Sequence, residues 1–187
     1  MGIDVFALVA DWAPTVAAYR EAGGSGFYWD YDDQPYFTEH RLPGGKAFLE
    51  AGQYYDLLRP HLPERLRQPA DAVFGQVLPC AVGYDWTAED RDDLAADAGL
   101  DGSGDIIYAF RPDTAAAVAR SPVPWEELAA AAEEHPVPGE RLAPAGTRAG
   151  MWQVVDWDSF HWHASAHLAS VTDAVQAGRG LVTMVSI

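Results

Sequence analysis

Three clustered histidines are the residues whose type and spacing could do chemistry. Half of the six histidines, His161, His163 and His167, lie in one short segment of the chain. Imidazole transfers protons and binds metal ions near neutral pH. On a helix, residues four apart share a face, whereas residues two apart point to nearly opposite sides. The spacing therefore predicts that His163 and His167 converge and that His161 points away from them.

A metal site at this pair would need further ligands. Zinc proteases use the motif His-Glu-x-x-His, but Ala164 stands here in place of the glutamate. Another kind of site would need a ligand from elsewhere, and the candidates are Asp156, Asp158, His40 and His61. One hypothesis is therefore a divalent transition metal such as zinc bound by His163, His167 and Asp158. Asp156 or Asp158 would then orient an imidazole.

The sequence favours a structural interpretation of the same pair, without a cofactor. Two histidines at this spacing are weak grounds for a metal when no third ligand is identified. In this interpretation they are half-buried residues at the edge of a helix. Their hydrogen-bond partners would then be nearby serines, namely Ser159, Ser165 or Ser170.

The segment from Phe27 to Phe37 combines six aromatic residues with three aspartates. Exposed Tyr and Trp offer rigid contact area, and neighbouring carboxylates attract an arginine or an amine. The predicted binding residues are Trp29, Asp30, Tyr31, Asp32 and Asp33. Aromatics are equally common in strands for packing alone, so a hairpin folded onto the sheet remains an equal alternative.

The charge balance narrows the range of partners. The chain has 12 basic and 28 acidic residues, a formal net charge of −16. Nucleic acid and anionic membranes require clustered Lys and Arg, so neither is an expected partner. The same field attracts a basic protein or a cationic small molecule. Negative charge that serves only solubility is the simpler interpretation.

No other motif completes an active site, so no catalytic residue is assigned and enzyme activity stays open. Cys80 is the only cysteine, and its apolar surroundings are typical of an inert buried thiol. No apolar run is long enough to span a bilayer, and the N-terminus does not resemble a secretory signal. These features predict a cytoplasmic protein without disulfides.

The elements that would position these residues suggest a single globular domain over 1–187. Strands are predicted at Ile3–Val9, Val73–Val82, Asp105–Phe110 and Leu181–Ile187. Helices are predicted at Thr15–Ala22, Lys46–Leu58, Thr87 to about Gly99, Asp113–Arg120, Trp125–His135 and Trp157–Ala177. A strand at each terminus with helices between them indicates an α/β or α+β fold, with helices packed on one mixed sheet.

Several of these stretches resemble a bacterial family of unknown function, the YfbM-like proteins. The stretches that carry the resemblance are Met1–Phe6, Ile107–Ala119, Trp125–Leu128, the final helix and Leu181–Ile187. Residues 40–70 depart from the family, whose helix there contains tryptophan and histidine, whereas this chain has Gln53–Leu58. The resemblance implies a small soluble α+β domain and brings no catalytic residues.

Two functional hypotheses follow. The first is a binding or interaction protein, accessory or immunity-like, whose acidic surface and Phe27–Phe37 segment engage a basic partner. The second is a small metal- or histidine-dependent enzyme or ligand-binding domain with its site on the C-terminal helix. The first is preferred because no group of residues completes an active site.

Overall fold

The fold is built on four strands and seven α-helices in the part of the chain that the computed structural model describes, residues 4–24, 35, 37–42, 45–78, 92–101, 106–138 and 154–186. The strands are β1 (Asp4–Ala10), β2 (Phe37–Leu42), β3 (Ile106–Phe110) and β4 (Gly180–Ser186). The helices are α1 (Trp12–Glu21), α2 (Gly45–Leu58), α3 (Glu64–Val77), α4 (Asp93–Ala98), α5 (Pro112–Arg120), α6 (Trp125–Glu134) and α7 (Trp157–Gln176). A short 3₁₀ turn, Arg59–His61, separates α2 from α3.

The four strands form one sheet in the order β2-β1-β4-β3, and neighbouring strands pair antiparallel. The first and last strands of the chain are therefore its two central strands. A parallel contact occurs only as an isolated bridge between Asp92 and Ala109 in the described residues. The predicted class is confirmed as α+β, with helices packed on one sheet and strands near both ends.

Helices cover both faces of the sheet. Successive side chains of a strand point to opposite faces, so Val5, Ala7 and Val9 join one hydrophobic cluster while Leu8 and Ala10 join another. The larger cluster is completed by α2, α3, α5, α6 and α7, and the smaller by α1 and α4. Strand β1 is therefore buried on both faces.

The strand predicted over Val73–Val82 is wrong, because residues 73–77 belong to α3. The buried side chains of α3 recur at intervals of three and four residues, which is a helical period, and include Leu66, Ala70, Val73, Phe74 and Val77. The apolar valines suggested a strand, but the spacing that begins at Leu66 decides the element. Residues 79–82 lie outside the described part of the chain.

Two other boundaries differ from the predictions. The helix expected from Thr87 is described only as α4, which is capped by the Asp92 carboxylate and ends at Gly99 with φ 70°; Thr87 itself lies outside the described residues. Strand β2 was not predicted. Among the described strands it pairs with β1 alone, at the edge of the sheet, and it lacks the continuous apolar run of a central strand.

The helix that carries the histidines begins where the sequence predicts. Asp156 accepts a hydrogen bond from the Ser159 backbone N–H (2.9 Å), and the Ser159 hydroxyl accepts one from the Asp156 N–H (3.1 Å). This reciprocal pair satisfies backbone donors that the first helical turn leaves free. The helix ends before Gly178, whose φ of 66° suits a residue without a Cβ.

Candidate functional site

His163 and His167 lie on the buried side of α7, not at its edge. Both residues are 0% exposed. Among the described residues, none of their four ring nitrogens has a hydrogen-bond partner. Two of the three expected serine partners are bonded elsewhere: Ser159 caps the helix, and the Ser170 hydroxyl donates to the Ala166 carbonyl. The interpretation of half-buried, serine-bonded histidines is therefore wrong.

Burial keeps both imidazoles neutral. It lowers the pKa of His163 from 6.5 to about 4. Burial and then the nearby His163 lower the pKa of His167 to about 3. Water solvates an imidazolium far better than an apolar core does, so the uncharged form is strongly preferred. A neutral imidazole has a free lone pair, which suits proton acceptance or metal ligation.

Helix α2 packs against the histidine pair. The ring centroids of Phe48 and His167 are 4.1 Å apart, and Tyr54 stacks on Phe160 with 4.9 Å between centroids. The two helices therefore run antiparallel. Glu50 of α2 is also buried and accepts a hydrogen bond of 2.9 Å from the Val154 N–H, just before α7. The pair thus lies in a mostly aromatic part of the larger core.

Three of the four proposed third ligands are exposed or bonded elsewhere. Asp158 is exposed, on the side of α7 opposite the buried stripe, and Asp156 is bonded to Ser159. His61 stacks on His135 at 4.9 Å. His40 pairs with Ala7 of β1, and its side chain lies outside the described part of the structure. Within the described ranges, no three His, Cys, Asp or Glu residues are grouped so that they could hold a metal ion.

As predicted, His161 points away from the other two histidines, and it joins an aromatic cluster at the surface. Its ring lies nearly parallel to Trp157 (12°, 6.0 Å between centroids). Trp125, the first residue of α6, stands at 76° to His161 (4.6 Å) and at 64° to Trp157 (6.3 Å). We call these three rings the aromatic corner, since Trp125 stands steeply to the other two.

Exposed carboxylates adjoin the aromatic corner. Glu126 and Glu127 follow Trp125, and Asp158 follows Trp157. None of the three forms an ion pair or side-chain hydrogen bond within the described structure. Acidic residues in a first helical turn interact favourably with the helix dipole, but each helix N-terminus amounts to only about half a positive charge. Three carboxylates at two helix starts therefore leave a net negative charge.

The buried Tyr54 responds to this negative charge. Burial first, then the charges of Asp156 and Asp158, raise the pKa of its hydroxyl to about 12. The two carboxylates at the start of α7 thus disfavour the negatively charged form of this buried hydroxyl.

The aromatic corner was not predicted from the sequence. Trp125 and Trp157 are distant in the chain and meet only because α6 and the first turn of α7 pack over the same core. A sequence signal was nevertheless present: in each case a tryptophan opens a helix and an acidic residue follows it.

The predicted binding segment cannot be compared with the structure. Trp29, Asp30, Tyr31, Asp32 and Asp33 lie outside the described residues, and so does Cys80. Phe37, at the end of the segment, is described and begins β2.

Comparisons with known proteins do not assign the chain to a family: no family model matches it, and neither a curated protein nor a solved structure matches it. No described helix combines the length and apolar character needed to cross a membrane.

Proposed function

We propose that this protein is a binding protein whose acidic surface engages a basic partner, in an accessory or immunity-like role in the cytoplasm. One observation carries the proposal. Several arginines are bonded to carboxylates or carbonyls of their own chain, whereas Glu126, Glu127 and Asp158 are exposed and have no partner in the part of the chain that the structure describes. The unpaired carboxylates are free to attract a partner's cations.

Ion pairs at α3 support the contrast between bonded arginines and the exposed carboxylates of α6 and α7. Arg59 bonds both oxygens of Asp71 (2.8 and 2.7 Å). Arg67 pairs with Glu64 within α3. Arg59 and Arg67 are thus already engaged, whereas no described cation is bonded to Glu126, Glu127 or Asp158. The Phe27–Phe37 segment, with Trp29, Asp32 and Asp33, belongs to the same proposal on sequence grounds.

The experiment is a purified-component binding measurement with a basic protein recovered from the source organism. We expect affinity to fall steeply between about 50 and 500 mM salt, because screening shortens the range of charge attraction. Trp29→Ala, or Asp32→Ala with Asp33→Ala, is expected to abolish binding without loss of fold. Full affinity in both variants would remove the segment from the proposal, and salt-independent binding would contradict the electrostatic mechanism.

A second candidate function rests on the buried histidine pair. Four buried nitrogens without partners are costly, at roughly 1–3 kcal/mol for each polar group left unsatisfied. A divalent transition metal such as zinc, or a small ligand, would offset that cost by accepting the lone pairs of His163 and His167. The candidate is a metal- or histidine-dependent enzyme or ligand-binding domain.

Elemental mass spectrometry of protein purified without chelator tests this second candidate. A stoichiometric metal that disappears in His163→Ala and in His167→Ala, but remains in His161→Ala, would support it. Metal-free protein, or metal that His161→Ala also removes, would contradict it.

A further inference from the structure

From the aromatic corner we infer a docking point for a single arginine side chain of the basic partner. The inference deepens the proposed function and rests on it. The Trp125 ring stands at a steep angle to the nearly parallel rings of Trp157 and His161. The exposed residues Glu126, Glu127 and Asp158 follow the two tryptophans in the chain and have no partner among the described residues. Flat rings and negative charge together favour a flat cation.

Buried phenylalanines of the core hold the two tryptophans of the aromatic corner in place. Trp125 packs against Phe74 (5.5 Å), and Trp157 packs against Phe160 (5.4 Å). Phe74 and Phe160 are fully buried and contact each other at 5.5 Å. The ring positions are thus fixed by the core before a partner arrives, which lowers the entropy lost on binding.

The shape and hydration of the cation distinguish arginine from lysine at the aromatic corner. A guanidinium is planar, stacks on aromatic faces and is more weakly hydrated than an ammonium. Tryptophan is the ring that best attracts a cation. Carboxylates favour arginine as well, because a guanidinium can bond both oxygens at once. The corner therefore predicts a preference for arginine that depends on its rings.

The probes are two peptides of equal charge, hexa-arginine and hexa-lysine, titrated into the purified full-length chain by calorimetry. We expect the wild-type protein to bind hexa-arginine about five- to tenfold more tightly, the range that cation–π contacts supply. Trp157→Leu should bring the two affinities together. Trp162→Leu, at a tryptophan of the same helix that is 46% exposed, should retain the preference.

Because a tryptophan variant could fail to fold, a second comparison leaves the tryptophans in place. It uses two sets of substitutions that each remove three carboxylates. Glu126→Gln with Glu127→Gln and Asp158→Asn removes the carboxylates beside the corner. Glu133→Gln with Glu134→Gln and Asp173→Asn removes the same charge from exposed positions elsewhere on α6 and α7. We expect the first set to weaken hexa-arginine binding at least fivefold more than the second.

The outcomes separate the two levels of the proposal. Equal affinities of the wild type for both peptides, or equal weakening by both charge sets, would overturn the docking point and leave a basic-partner function in place. Absence of binding to either peptide at low salt would overturn the electrostatic attraction on which both depend.

Discussion

The surface around α1 and α4 differs from the starts of α6 and α7 in how its acidic residues are bonded. Around α1 and α4, Arg111 bridges Asp93 (3.1 Å) and Asp97 (3.2 Å), and Arg179 pairs with Asp11 (2.8 Å). At the starts of α6 and α7, Glu126, Glu127 and Asp158 are exposed and have no partner among the described residues. The first group of carboxylates thus stabilises the fold, whereas the second remains available to a partner.

The same division applies to the histidines. His163 and His167 face the larger core and are neutral, while His161, on the same helix, lies in the aromatic corner at the surface. The smaller core, under α1 and α4, contains no histidine among its described members. Acid should therefore affect the α7 side of the molecule first.

Acid destabilisation is the largest expected effect. Because the folded-state pKa values of His163 and His167 lie below the ordinary 6.5, the unfolded chain binds protons that the folded chain does not. The free energy of unfolding should fall as the pH drops from about 6.5 toward 4, by at most roughly 1.4 kcal/mol per pH unit for each histidine. Urea unfolding across this range measures it.

The control for this prediction is His163→Leu with His167→Leu. Leucine has a similar volume and no polar atom, so stability at neutral pH should be unchanged or higher, while the pH dependence between 6.5 and 4 should flatten. An unchanged slope would show that other groups cause the acid sensitivity. A marked loss of stability at neutral pH would favour the bound metal or ligand.

Loss of Arg111 should have the next largest effect. Its guanidinium holds two neighbouring carboxylates, and Asp93 is only 16% exposed. Arg111→Met leaves Asp93 and Asp97 to repel each other, at a cost of about 1 kcal/mol after solvent screening. Glu133→Gln with Glu134→Gln should stay within about 0.5 kcal/mol. Urea unfolding measures both stability losses. Equal losses in Arg111→Met and in the double glutamate variant would contradict the difference between bonded and unbonded carboxylates.

Two neighbouring aspartates offer a finer test of the same distinction. Asp156→Ala removes the helix cap and should cost about 1 kcal/mol. Asp158→Ala removes only a favourable interaction with the helix dipole, which is worth a few tenths of a kcal/mol on an exposed first turn. Thermal unfolding of both variants should rank them in that order, and the reverse order would contradict the capping role.

Trp162→Ala should have the smallest effect. The side chain is 46% exposed and lies outside the aromatic corner, although its ring contacts His163 at 4.7 Å. We expect a stability change within about 0.5 kcal/mol and unchanged hexa-arginine affinity. A large loss of affinity would move the docking point along α7.

Local signals predicted much of the fold. The helix predicted over Trp157–Ala177 corresponds to α7, and apolar runs marked the two central strands. The prediction of a strand over Val73–Val82 was wrong because a short apolar run is compatible with either a strand or a buried helix. The edge strand β2 has too few apolar residues for its sequence to predict a strand.

The candidate site was only partly predictable. Helical spacing placed His163 and His167 together and His161 apart. It could not give the depth of burial, because that depends on which face α2 and the sheet cover. The aromatic corner required the tertiary contact between Trp125 and Trp157, which no local pattern contains.

The most direct test of the account is an amide NMR titration of the isotope-labelled protein with hexa-arginine at low salt. The account predicts that the largest shifts map to residues 125–127 and to the first turns of α7, with small shifts around α1 and α4. Shifts centred on Asp93, Asp97 and Asp11, or spread evenly over every acidic residue, would contradict the division between bonded and available carboxylates.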